Sequence, residues 1–180
     1  MIFPAGASAA SLHPVRMGEM AVSKKPVDVL SIVGLGSCVA LVMLAREKGA
    51  AGMAHIVLPG SEMAGGREVP PAKFADTAVP AMLRAMRSRG ARPEDVNAVV
   101  VGGATMFGQK PGSKLAGVGD RNVEAAIEAL EEHGVPVIPG AGTAGMSDAE
   151  LIDAGPGVGF PLIIKPSAGG GGKGMRLART

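Results

Sequence analysis

A predicted β-hairpin around the chain's only cysteine constrains the fold more than any other stretch of the sequence. Residues 34–42 run from a glycine-rich turn into an apolar segment and contain Cys38. Residues 52–59 form a second apolar segment, which contains His55, and residues 46–49 between them have the composition of a turn. We therefore expect the two apolar segments to pair as the antiparallel strands of a hairpin.

The expected register of this hairpin places Cys38 directly opposite His55. If Leu44 pairs with Gly49 across the turn, counting along both strands makes residues 38 and 55 partners. Directly opposed residues share a sheet face, with Cβ atoms about 4.5–5.5 Å apart. At that separation an imidazole can take a proton from a thiol. A register shifted by one residue would put the two side chains on opposite faces.

A cysteine beside a histidine is a pattern typical of nucleophilic catalysis. The thiolate is the reactive form, and a histidine partner generates it near neutral pH. We therefore expect a lowered pKa for the Cys38 thiol. The glycines before Cys38 allow a sharp turn, in which the N–H groups of Gly36, Ser37 and Cys38 can bind an oxyanion. The alternative is that Cys38 is a small buried hydrophobic residue and His55 a hydrogen-bonded core histidine. These residues alone leave both interpretations open.

These segments resemble CheD, the chemoreceptor glutamine deamidase family of bacterial chemotaxis. The resemblance extends from about residue 15 to about residue 138, and its motifs stand in the family's order at residues 15–22, 34–39, 54–59, 73–78, 101–107 and 118–123. It implies the α+β class, as a layered α/β/β fold with a mixed sheet. At the centre of that sheet we expect the Cys/His hairpin, with strands at residues 38–44 and 52–58.

The resemblance also implies an activity and its site residues. Cys38 would be the nucleophile and His55 its base, in the hydrolysis of protein glutamine side chains by a protein-glutamine glutaminase. The family has a threonine six residues before the cysteine, and this chain has Ile32 there. Ser31 is next to it but would face the other side of a strand. We therefore expect weakened rather than abolished turnover.

The partners implied by the resemblance are methyl-accepting chemotaxis receptors and a CheC-like phosphatase. No cofactor and no metal is expected. An alternative function is a binding module for the CheC-like phosphatase, in which Ile32 marks weak catalysis while binding survives.

After about residue 138 the resemblance changes family. Residues 134–177 are similar to the glycine-rich phosphate loop of ATP-grasp enzymes, in the biotin carboxylase branch. Backbone N–H groups of such a loop can surround a phosphate, so a third interpretation is a nucleotide-binding fragment. The possible phosphate-loop residues are Lys165, Gly169, Gly170, Gly171, Gly172 and Lys173. Before the loop, Ser147 and Glu150 form a predicted capping box for a short helix.

The expected organisation has three parts: a flexible N-terminal tail at residues 1–14, the deamidase domain at 15–138, and an atypical extension at 139–180. Within the deamidase domain, helices are expected at residues 72–89 and 121–133, and both should cover one face of the sheet. Gly102 and Gly103 follow an apolar strand and predict a close backbone approach, either to the Cys38 turn or to a neighbouring strand.

Composition narrows the function classes further. The net charge of +2 and the absence of Tyr and Trp beside four Phe argue against nucleic-acid binding. A single cysteine permits no internal disulfide and fits a reducing cytoplasm. No window approaches the 18 or more apolar residues of a membrane span, and the N-terminus lacks the pattern of a signal peptide. We expect a cytoplasmic protein without direct membrane insertion.

Overall fold

The computed structural model describes residues 11–104, 117–137, 140, 146–164 and 176–179. The chain divides into two compact units, one of Ser8–Ile138 and one that includes Pro139–Thr180. The strands of the larger unit are β1 (Ser11–Pro14), β2 (Met20–Ser23), β3 (Asp28–Ser31), β4 (Val39–Ala45), β5 (Ala50–Ile56) and β6 (Asn97–Gly102). Its helices are α1 (Ala75–Arg87) and α2 (Val118–Glu132). The larger unit is thus of the α+β class.

The main sheet has the strand order β2–β5–β4–β6, and every neighbouring pair in it is antiparallel. Beyond β6, Ala98 makes one parallel bridge to Val137. A second isolated parallel bridge joins Leu58, after β5, to Phe74. The mixed character expected for this sheet is therefore limited, in the described part of the chain, to these two bridges.

β1 pairs with β3 in a separate parallel ladder. The last four residues of the expected N-terminal tail thus belong to a strand. The carboxylate of Asp28 lies 3.2 Å from His13 Nε2 and ties the two strands together.

The central hairpin pairs β4 with β5, but its register differs from the prediction. Residues 46–48 form a turn of 3-10 helix, and Gly49 follows in the left-handed conformation with φ of 61°. Because these four residues form the loop, Ala45 pairs with Ala50, and Leu44 is opposite Ala51 rather than Gly49. The prediction that Cys38 is directly opposite His55 is therefore wrong: Ala40 occupies that position. The shift is two residues in the pairing, so it preserves which side chains share a face.

Alternation along the hairpin separates a helix-covered face from a second face. The core-facing residues of β4 are fully buried and are Val39, Leu41, Met43 and Ala45. They form one cluster with Ile56 and Ala54 of β5 and with buried residues of α1 and α2, including Met82 and Leu130. Both helices thus lie on one face of the sheet, as predicted. Burying a Leu or Met side chain stabilises the fold by about 1.5–3 kcal/mol relative to leaving it exposed.

Two helix starts differ from the sequence-based boundaries. α1 begins at Ala75 rather than residue 72, because Phe74 has extended backbone (φ −117°, ψ 145°) and buries its ring. α2 begins at Val118 rather than residue 121, after Gly117 in the left-handed conformation. Asp120 therefore lies in the first turn of α2.

In the smaller unit, helix α3 (Asp148–Val158) begins with the predicted capping box. The backbone N–H of Ser147 donates to Glu150 Oε2 at 2.7 Å, and the N–H of Glu150 donates to Ser147 Oγ at 3.3 Å. Strands β7 (Leu162–Ile164) and β8 (Arg176–Ala178) pair antiparallel. The possible phosphate loop between them, Lys165 to Lys173, lies outside the described residues.

Candidate active site

Cys38 lies in a bend immediately before β4, where its side chain is half-buried. The backbone of this bend is held by the segment after β6, since Gly103 N–H donates to the Cys38 carbonyl at 2.9 Å and Ala104 N–H donates to the Gly36 carbonyl at 2.9 Å. Gly102 has φ of 113°, and a Cβ built there would collide with the Cys38 carbonyl oxygen. The close approach expected for Gly102 and Gly103 is thus made to the Cys38 turn, at a position that only glycine can occupy.

The bend has three backbone N–H groups, those of Gly36, Ser37 and Cys38, for which the described residues provide no hydrogen-bond acceptor. Unpaired N–H groups next to a nucleophile can stabilise the negative charge that develops on an attacked carbonyl oxygen. The bend therefore has the donors that an oxyanion site needs.

His55 lies in β5 on the sheet face opposite the helices and is only 3% exposed. Its Nδ1 is 3.4 Å from the carbonyl oxygen of Val15. A carbonyl can only accept, so this contact places the proton of the neutral ring on Nδ1. Nε2 is then the unprotonated nitrogen, and it is buried without a hydrogen-bond partner among the described residues. A free imidazole lone pair in this tautomer is what a general base requires.

The hairpin register relates Cys38 to His55 through Ala40. Ala40 is paired with His55, and Cys38 precedes Ala40 by two residues, one residue before the start of β4. A strand continued through Cys38 would place its side chain on the face of Ala40 and His55, diagonally across from His55 at about 7–8 Å. Cys38 itself lies in the bend before the strand.

Burial raises the pKa of the Cys38 thiol above its ordinary value of 9.0. The cause is desolvation, which penalises the thiolate relative to the neutral thiol. This direction is opposite to the lowered pKa expected from the sequence. The expectation rested on His55 as a partner that favours the thiolate, whereas the cause that acts on Cys38 in the structure is desolvation.

Ile32 directly follows the last residue of β3 and is half-buried. The preceding Ser31 accepts a backbone hydrogen bond from Val15 N–H at 2.8 Å. Val15 is the residue whose carbonyl faces His55 Nδ1. Val15 therefore connects the segment of Ser31 and Ile32 to His55, through its N–H on one side and its carbonyl on the other.

Sequence reasoning missed one polar residue of this region, Asn122. It is 0% exposed in the first turns of α2, and its side-chain amide bonds the carbonyls of Ser37 and Val57. Its place within a family motif was the only sequence signal, and that signal did not indicate a contact with the Cys38 turn.

No group of three or more His, Cys, Asp or Glu residues suited to a metal ion occurs in the described ranges. No described helix is both long enough and apolar enough to cross a membrane.

Comparison of the sequence with known proteins identifies the family of this chain. The family model "CheD chemotactic sensory transduction" matches residues 57–141. The "Probable chemoreceptor glutamine deamidase CheD" of Symbiobacterium thermophilum is 37% identical over 146 residues, which cover 80% of this chain and 88% of that protein. The chain belongs to the CheD family.

Other members of the CheD family match over similar lengths. The "Chemoreceptor glutamine deamidase CheD" of Thermotoga maritima is 37% identical over 86% of this chain and 92% of that protein. The "Probable chemoreceptor glutamine deamidase CheD" of Methanococcus maripaludis is 40% identical over 68% of this chain and 76% of that protein. Among solved structures, YlmD from Geobacillus stearothermophilus has a TM-score of 0.43 and 15% identity, over 71% of this chain and 56% of that chain.

A second family model overlaps the end of the CheD match. "Carbamoyl-phosphate synthase L chain, ATP binding domain" matches residues 120–180, a range that includes most of α2, all of α3 and the last two strands.

Proposed function

We propose that this CheD-family chain hydrolyses the side-chain amide of glutamines in chemotaxis receptors, with Cys38 as nucleophile and His55 as base. The observation that carries the proposal is the contact of His55 Nδ1 with the Val15 carbonyl, from which we infer the tautomer of the ring. Its Nδ1–H faces the Val15 carbonyl, so the lone pair of Nε2 is free on the sheet face that the Cys38 bend joins. The names of the curated relatives supply the substrate class, protein glutamine in a chemoreceptor.

The reaction proceeds in two halves. His55 Nε2 takes the proton of the Cys38 thiol as the sulfur attacks the glutamine carboxamide carbon, and the carbonyl oxygen becomes an oxyanion bound by N–H groups of the bend. The protonated His55 then gives its proton to the departing nitrogen, and the C–N bond breaks to release ammonia. The product on the enzyme is a thioester between Cys38 and the glutamyl side chain.

Water completes the turnover. His55 Nε2 takes a proton from a water molecule, which attacks the thioester carbonyl carbon. The C–S bond then breaks, and the Cys38 sulfur takes this proton back from His55. The substrate leaves as glutamate and the enzyme returns to its starting state. These steps use no cofactor and no metal.

The raised pKa of Cys38 decides how the first step occurs. Burial disfavours a standing thiolate, so proton transfer to His55 accompanies attack on the substrate instead of preceding it. The ring of His55 is buried, and no acidic residue is hydrogen-bonded to it among the described residues. A single unpaired cysteine fits a cytoplasmic location for this activity.

The test is ammonia release from a purified receptor signalling fragment. Cys38→Ala is expected to abolish release, and His55→Ala to reduce kcat by at least about 100-fold, since a positioned base contributes about 10²–10⁴-fold. The matched controls are His13→Ala and His133→Ala, which remove the other two histidines of the chain. Both controls should retain wild-type kcat. Full activity in Cys38→Ala would refute the mechanism.

A second candidate is a binding module for a CheC-like phosphatase, and the observation in its favour is Ile32. Isoleucine supplies no hydroxyl at this position, which weakens catalysis without disturbing the half-buried site. In this case Cys38→Ala would bind the phosphatase with unchanged affinity while wild-type protein showed no measurable ammonia release.

A nucleotide-binding role is the third candidate and rests on the match to residues 120–180. Protection of the segment at residues 169–174 from hydrogen exchange on addition of Mg-ATP would support it. Unchanged exchange at saturating nucleotide would remove it.

A further inference from the structure

Asn122 connects the bend that carries Cys38 to the end of the strand that carries His55. Its Nδ2 donates to the Ser37 carbonyl at 2.8 Å and to the Val57 carbonyl at 3.0 Å. Both partners are carbonyl oxygens, which can only accept, so the NH₂ group must lie between them. The side chain is 0% exposed, and water does not compete for these two bonds.

We propose that Asn122 is a positioning residue for the deamidation reaction, which holds the Ser37–Cys38 peptide so that its N–H faces the oxyanion. This inference rests on the proposed function. In a planar trans peptide, the C=O and the N–H point in opposite directions. Asn122 draws the Ser37 C=O toward α2, so the Cys38 N–H of the same peptide is directed away from α2. That N–H has no acceptor among the described residues.

The second acceptor of the Asn122 amide, the Val57 carbonyl, belongs to a residue whose backbone is held in place by its own hydrogen bond. Val57 immediately follows β5, and its N–H donates to the Lys73 carbonyl at 2.9 Å. The side-chain amide of Asn122 therefore fixes the distance between the Cys38 bend and the end of the strand that carries His55. A planar amide with two N–H donors is suited to this task, whereas a hydroxyl supplies only one.

The first turn of α2 can reach the bend because two backbones approach closely at its start. A Cβ built on Gly119 would collide with the carbonyl oxygen of Gly103, and Gly103 in turn donates to the Cys38 carbonyl. The start of α2, the segment after β6 and the Cys38 bend are thus in mutual contact. Asn122 is the side chain of α2 that crosses this contact to the bend.

The acceptor end of Asn122 argues against a role in packing alone. Its Oδ1 is buried and has no hydrogen-bond donor among the described residues. An unpaired buried amide oxygen costs stability, and other buried positions of α2, such as Ala126 and Leu130, are apolar. A polar group retained at such a cost fits a residue selected for the geometry of the reaction.

The decisive comparison is between deamidation and alkylation in the full-length chain. Alkylation of Cys38 by iodoacetamide needs the sulfur but forms no oxyanion, whereas deamidation needs both. In Asn122→Leu, which keeps the approximate shape and removes both donors, we expect kcat for ammonia release to fall about 10–100-fold. This is below the 10²–10³-fold loss typical of deleting an oxyanion donor outright. KM and the alkylation rate across pH should stay within about threefold of wild type.

Two further variants separate positioning from stability. Asn122→Ser keeps one donor and should have a kcat between those of wild type and Asn122→Leu, and it decides the question alone if Asn122→Leu does not fold. Leu130→Ala destabilises the same helix without touching the bend, and its kcat per folded molecule, with folding followed by far-ultraviolet circular dichroism, should equal that of wild type.

Three results would overturn the inference. Wild-type kcat in the Asn122 variants would exclude a positioning role. Equal losses of deamidation and alkylation, or an equal loss in Leu130→Ala, would assign Asn122 to stability. Absence of ammonia release from the wild-type protein would refute the proposed function itself, and this inference with it, whereas failure of the Asn122 prediction alone leaves wild-type turnover intact.

Discussion

At the scale of single residues, the site depends on which protonation states burial allows. The Cys38 thiol is half-buried and its pKa is raised by desolvation. His55 is almost fully buried and presents an unpaired Nε2. Burial therefore favours the neutral thiol of Cys38 over the thiolate.

The raised pKa of Cys38 has a measurable consequence. The rate of iodoacetamide alkylation of native protein should rise with pH and reach half its limit at a higher pH than in urea-unfolded protein, where Cys38 has the ordinary thiol pKa. Because the neutral thiol is favoured in the folded state, this group's contribution to stability is present below the ordinary thiol pKa and is lost as pH rises through the folded value. A native midpoint below about 8.5 would show instead that His55 stabilises the thiolate, as the sequence alone suggested.

A second residue-scale prediction concerns Ile32. Ile32→Thr keeps the β-branched shape and adds a hydroxyl beside the Ser31–Val15–His55 connection. One net hydrogen bond is worth about 0.5–1.5 kcal/mol, and each 1.36 kcal/mol is tenfold in rate. We expect kcat to rise about two- to tenfold, with a melting temperature that is nearly unchanged. Ile32→Val, which adds no hydroxyl, is the matched control and should leave kcat unchanged.

At the scale of elements, the turns around the sheet decide where Cys38 lies. The Cys38 bend is held by backbone hydrogen bonds from Gly103 and Ala104. Gly102 makes this contact possible because it has no Cβ. The hairpin loop, by contrast, ends at Gly49, where a Cβ would meet nothing within 4 Å.

Alanine at these two glycines should therefore behave differently. Gly49→Ala should lower the free energy of unfolding by only about 1–2 kcal/mol, because alanine disfavours the left-handed conformation. This variant should retain its kcat. Gly102→Ala adds a collision with the Cys38 carbonyl, so it should lose more stability and at least about tenfold in kcat. Urea unfolding and ammonia release, measured on both variants, check this difference. Similar kcat values in the two would show that the bend tolerates displacement.

At the scale of the whole molecule, the residues of the larger unit form their own core. All members of the main hydrophobic cluster lie between Val39 and Val135, with Met20, Val22 and Val137 packed against it. The last strand contact of this unit is the bridge between Ala98 and Val137.

A chain that ends at residue 138 should therefore retain kcat within about threefold and unfold cooperatively. A chain that ends at residue 134 loses the buried Val135 and the bridge to Ala98. It should be less stable by at least about 1.5 kcal/mol, the value of burying one such side chain. Inactivity of the longer truncation would mean that residues 139–180 take part in the deamidase fold.

Local sequence was enough for the features that depend on near neighbours. Two apolar segments separated by a turn-like sequence predicted the central hairpin, and helical periodicity predicted α1 and α2 and the face they cover. The Ser147–Glu150 capping box was correct because it needs only residues three apart. Short motifs in a fixed order likewise identified the CheD family.

Tertiary structure decided what depends on residues distant in sequence. The hairpin register followed from Gly49, whose left-handed conformation lengthened the loop and moved Ala40 opposite His55. The direction of the Cys38 pKa shift came from burial by other segments, which no local pattern reports. The side chain of Asn122 bonds the carbonyls of Ser37 and Val57, which are 85 and 65 positions away from it in the sequence. Such contacts form only when the chain is folded, because the free energy that places them comes from packing the sheet against its helices.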